Sequence, residues 1–213
     1  MKRKDAFEPQ PTPSTDDPIP ELTEWVRGMA TAAHAGFAIA EARADFAAKP
    51  PTLYLDTTIV SYLTARLSRD VIIAQHQAIT RRWWLEHRAR HFCYISEVVE
   101  YEAARGDVTA SRERLDVLKA FSKAHVNAQT HELAGRVLTA WRLPTRAYDD
   151  AQHVAITAIH GLKVLLTWNC THLANPNMIS HIRRACEAYG YAPPAIYTPE
   201  QLTGVCACGQ SGS

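Results

Sequence analysis

The chain has 213 residues, 46% of them apolar, and its 23 basic and 22 acidic residues leave a formal charge of +1. That length fits one domain with an appendage and a substantial core, and the charge balance excludes a protein that coats nucleic acid non-specifically. Five irregularly spaced cysteines exclude a disulfide framework, and no apolar run reaches the roughly 20 residues of a membrane span. The charged, proline-rich start has no apolar core to serve as a signal peptide, so a cytoplasmic protein is expected.

Residues 1–20 hold five of the twelve prolines and read as a disordered lead-in. Residues 21–50 turn helical, with Leu22, Trp25, Val26 and Met29 near a 3.6-residue period. This extension either packs on the main domain or binds a groove, in cis or on a neighbouring copy. Pro50-Pro51 opens the domain, expected over 51–203, and 204–213, with Cys206 and Cys208, reads as a disordered tail.

Leu53, Tyr54 and Leu55 form a short buried strand that stops on Asp56, where Thr57 and Thr58 begin a helix. Asp56 either caps that helix or faces a ligand crevice at the strand's end. Helices follow over 59–65 and 70–87, the second ending in a basic and aromatic cluster, Arg81 to Arg90. That cluster is either a solvated helix face or an edge that stacks on unpaired RNA bases. A strand over 91–95 leads into a helix over 97–105, which carries Glu97, Glu100 and Glu102 and stops at Gly106. A helix over 108–123, a strand over 125–127 and a helix over 132–141 come next. The helix from Tyr148 has Asp149 and Asp150 in its first turn, and Ala151, Val154, Ala155, Ala158 and Ile159 give it a close-packing core face. A buried strand over 163–167 runs into Trp168-Asn169, followed by a helix over 179–189, a strand over 195–197 and a last turn of helix. Strands alternating with helices predict an α/β fold with a central parallel sheet covered on both faces.

Asp56, Glu102 and Asp150 then sit where such a sheet gathers its strand ends, with Asn169 as a fourth oxygen ligand. Carboxylates held together repel one another unless a cation neutralises them, and oxygen ligands select Mg²⁺ or Mn²⁺. Such a centre suits phosphodiester hydrolysis. Neither a Gly-rich phosphate loop nor a His-Glu-x-x-His motif is present, so nucleotide hydrolysis and zinc proteolysis have no support.

Four stretches in this order carry a resemblance: Leu-Tyr-Leu-Asp56-Thr-Thr, Glu100-Tyr-Glu102 to Gly106, Asp149-Asp150-Ala-Gln-His153, and Thr167-Trp168-Asn169 to Asn175. Together they resemble the PIN domain, and within it the VapC-type toxins of toxin–antitoxin pairs, over residues 52 to 202. The resemblance implies an α/β/α sandwich and a Mg²⁺- or Mn²⁺-dependent endoribonuclease. It implies metal held by Asp56, Glu102 and Asp150, with Asn169 where many relatives carry Asp. The four-residue distance from Glu102 to Gly106 matches the family better than Glu100 does, and Asp149 competes with Asp150. Around these acids Thr57, Thr58, Asp149, His153 and Thr167 are expected as supports rather than ligands. The implied partners are an RNA substrate, a cognate antitoxin that the N-terminal segment itself faintly resembles, and a second copy in a homodimer. A non-catalytic module that binds RNA or a protein is the alternative.

Overall fold

The structure, a computed structural model, describes residues 50–208. The expected lead-in and the helical extension to residue 49 lie outside the described residues. The architecture is an α/β sandwich on a five-stranded parallel sheet.

Pro50-Pro51 holds the backbone extended, and Thr52–Leu55 follows as β1. Leu53, Tyr54 and Leu55 are buried on both faces, as befits the central strand. β1 turns directly into α1 (Thr57–Thr64), then α2 (Val71–Glu86), capped by Asp70 on the amides of Ile72 and Ile73. β2 (Phe92–Ile95) leads into α3 (Glu97–Ala103) and α4 (Val108–Leu118). Then come β3 (Ser122–Lys123), α5 (Ala128–Trp141), α6 (Tyr148–Ile159), β4 (Val164–Leu166), α7 (Pro176–Ala188), β5 (Ala195–Tyr197) and α8 (Pro199–Cys208).

The strand order is β3-β2-β1-β4-β5. The chain builds outward from β1 to β3, then crosses back to lay β4 against the other side of β1. That reversal leaves a crevice at the carboxyl ends of β1 and β4, where such sheets bind ligands. Helices α5, α6 and α7 pack together, while α1 contacts α2, α3 and α4, and α2 contacts α8. Every residue of α6 from Ala151 to Ala158 is buried. Its alanines bring it close enough to the sheet for His153 to reach Tyr54 on β1.

Five boundaries differ from those expected. The third strand is Ser122–Lys123 rather than 125–127, and the helix before it stops at Leu118. Beyond the strand, Glu97 on α3 holds His125 and the Val126 amide, so that stretch is a bonded link rather than a ladder. α5 starts four residues early because Asn127 and Thr130 form a capping box. α7 starts at Pro176, with Asn175 as its cap, rather than at 179. α8 runs through Gly204 to Cys208, into the stretch expected as a tail, and residues 209–213 lie outside the described residues.

The basic and aromatic cluster is divided between the interior and the surface. Trp83 and Trp84 are buried, and the buried Arg88 guanidinium lies over the rings of Trp84 and Phe121. Arg81 is bonded to the Leu63 and Ala65 carbonyls at the end of α1. The other face is solvated as expected, with Arg82, Glu86 and Arg90 exposed and Arg82 paired to Glu86, while the aromatic rings are not available as an RNA-stacking edge.

Candidate metal centre

Asp56 follows β1 and stands at the N-cap of α1, yet its side chain caps nothing. The backbone amide is tied to the Leu166 carbonyl on β4 at 3.1 Å, which turns the carboxylate into the crevice. There Oδ2 accepts the Thr58 hydroxyl at 2.8 Å and the Thr167 hydroxyl from the end of β4. Thr58 in turn accepts the Trp168 amide, and Thr167 accepts the Asn169 amide. The two strand ends are thus laced together around one buried carboxylate.

The three glutamates of α3 have separate fates. Glu97 holds His125 and Val126, Glu100 pairs with Lys123 at 2.8 Å, and Glu102 alone reaches the crevice. Glu102 Oε2 accepts the Thr57 hydroxyl and lies 3.1 Å from His153 Nε2. Burial by itself would raise the Glu102 pKa, but the bonds from His153 and Thr57 hold it below the ordinary value.

His153 is the surprise of the site. Expected as a support, it sits between the two acids, its Nε2 also 3.5 Å from Asp56 Oδ1. Its Nδ1 lies 2.9 Å from the Tyr54 hydroxyl, itself 2.6 Å from Ser96 Oγ at the end of β2. Ser96 repeats the pattern of Asp56, standing at the N-cap of α3 without capping it. Burial alone would lower the His153 pKa. The Tyr54 oxygen and the carboxylates of Glu102 and Asp56 reverse that and hold it well above the ordinary value. Without a metal the imidazolium donates from Nε2 to the acids and from Nδ1 to Tyr54; a metal ion would take the place of the Nε2 proton.

Asp56, Glu102 and His153 each bring one ligand atom within 4.8 Å of the others, and this buried group can hold a metal ion. The donor chemistry fits a divalent cation, with two carboxylates for charge and an imidazole whose other nitrogen is already oriented.

Asp150 is not in that group. Its Oδ1 accepts the Asn169 amide at 2.8 Å, and its Oδ2 lies 2.6 Å from His172 Nδ1. The other end of the Asn169 side chain accepts the His172 amide at 3.1 Å. Asn169 therefore braces Asp150 instead of lining up with Asp56 and Glu102 as a ligand. Burial holds the Asp150 pKa above its ordinary value, against the pull of His172 and His153 and with a smaller push from the charge of Asp56. Asp149 stays outside, beside Tyr148, whose pKa is raised by burial and then by the Asp149 charge.

His172 is the site residue that sequence reasoning missed. Its signal was the spacing, three residues beyond Asn169 in the loop that leaves β4. Ser96 and Tyr54 were legible only as strand residues. No protein-family model matches the chain, and no curated protein matches it.

Proposed function

We propose that this chain is a metal-dependent endoribonuclease of the PIN type, the toxin half of a toxin–antitoxin pair. The observation that carries the reading is the buried group of Asp56, Glu102 and His153 at the carboxyl ends of parallel strands. RNA as substrate, an antitoxin partner and a homodimer follow from the resemblance of the four motifs.

Asp56, Glu102 and His153 would hold Mg²⁺ or Mn²⁺, and the ion would neutralise phosphate charge and lower the pKa of water. The nitrogen ligand favours Mn²⁺ over Mg²⁺, which prefers oxygen. The protein's own part is to fix these groups in advance. Thr58 and Thr167 aim Asp56, Thr57 aims Glu102, and Tyr54 keeps a proton on His153 Nδ1 so that Nε2 faces the acids. Asp150, held by Asn169 and His172 with its pKa raised, would take a proton from the water that attacks the phosphate.

The test is cleavage of end-labelled RNA by the purified full chain with Mn²⁺, with Mg²⁺ and with chelator. Asp56→Asn and Glu102→Gln should each reduce cleavage by about 100-fold or more while keeping the fold, and Mn²⁺ should outperform Mg²⁺. Cleavage that persists in Asp56→Asn or in chelator would sink the reading. A folded chain that binds RNA or a protein without cutting would move the lead to the binding module.

A further inference from the structure

A cleft of about 840 Å³ lies between the end of α5 and the second half of α7, and none of the acidic-site residues lines it. That volume suits an organic ligand of mononucleotide size. Its charge is one-sided. Arg136, Arg142, Arg184 and His181 line it, and no acidic residue does, in a chain whose whole charge is +1.

The basic groups are set in place. The Arg136 guanidinium lies 4.5 Å over the Tyr189 ring and donates to Glu132 at 3.1 Å. Arg184 Nη2 donates to His181 Nδ1 at 3.3 Å, which leaves the imidazole's proton on Nε2 as a further donor. Arg142 has φ 55, the single positive φ of a non-glycine residue among the described residues. Glycine or asparagine is usual there, so an arginine at this helix end costs stability where it lines the cleft. Trp141 lines the same cleft, and its indole N–H is buried without an acceptor among the described residues.

We propose that this cleft binds a small organic phosphate, a phosphate ester on a flat apolar group. Guanidinium forks match phosphate oxygens, and the cleft presents three of them. Ala140, Ala185 and Ala188 leave a low apolar floor between the Trp141 and Tyr189 rings for the flat group.

Isothermal titration of the full chain in chelator, with adenosine monophosphate, ribose 5-phosphate and adenosine as probes, tests this. Adenosine monophosphate should bind, ribose 5-phosphate several-fold more weakly, and adenosine not at all. Arg184→Gln should weaken the first by about tenfold or more. Arg142→Gly should weaken it too, while raising the melting temperature by about 2–4 °C, a pairing that a merely structural arginine would not give. Asp56→Asn should leave it unchanged, so the nuclease reading and this one fail separately. Absence of binding, equal affinity in Arg184→Gln, or binding of single-stranded RNA in place of the nucleotide would overturn the proposal. Ribose 5-phosphate binding as tightly as the nucleotide would overturn the flat-group part.

Discussion

The Tyr54 side chain has no exposed surface, yet its hydroxyl is fully used between Ser96 and His153. Tyr54→Phe keeps the volume and removes that oxygen, leaving the Ser96 hydroxyl and His153 Nδ1 buried without a partner. The variant should lose about 1–3 kcal/mol in urea unfolding and bind Mn²⁺ about 10- to 100-fold more weakly by titration. Unchanged Mn²⁺ affinity would show that His153 is held by other means. Asp56 was legible because its motif ends a strand-to-helix turn, where topology leaves little choice of direction, and Glu102 because of its four-residue distance to Gly106. His153 follows Asp150 by one helical turn, so the shared face was legible as well. Which of the two reaches the acids was not. That depends on how closely α6 lies on the sheet and on Asn169 and His172 drawing Asp150 aside.

Among the elements, buried strands and amphipathic helices announced themselves, and helix starts hidden in Asn127-x-x-Thr130 and Asn175-Pro176 did not. The two-residue β3 was misplaced because an edge strand that short carries almost no periodic signal. Gly106, read as the stop of α3, does have φ 92, and a Cβ there would meet nothing within 4 Å. Gly106→Ala is therefore a pure backbone test. It should cost about 1–2 kcal/mol in chemical unfolding with cleavage activity per folded molecule unchanged. A larger loss of activity would mean that the turn also steers Glu102.

At the scale of the molecule, the order of motifs along the chain was enough to place the crevice, because a parallel sheet points all its strand ends one way. The long-range ties were not readable: Thr167 and Asp56 stand 111 residues apart. Acid stability follows from another buried group, His91, whose pKa burial lowers from 6.5, with help from the charges of His87 and Arg90 against its bond to the His87 carbonyl. The unfolded chain takes up that proton at a higher pH than the folded one, so stability falls as pH drops below about 6.5 toward the folded value. His91→Gln should show a shallower fall in urea stability between neutral and mildly acid pH, and the difference between the two curves isolates His91. Parallel curves would discard this account. The idle caps at Asp56 and Ser96 bear on the whole molecule too. Both side chains belong to residue types that ordinarily stabilise a helix start, and both are turned away from that work. Stability and chemistry therefore compete for the same two side chains. Under selection for heat resistance alone, the shortest route to a sturdier protein passes through positions 56 and 96, and it dismantles the crevice first.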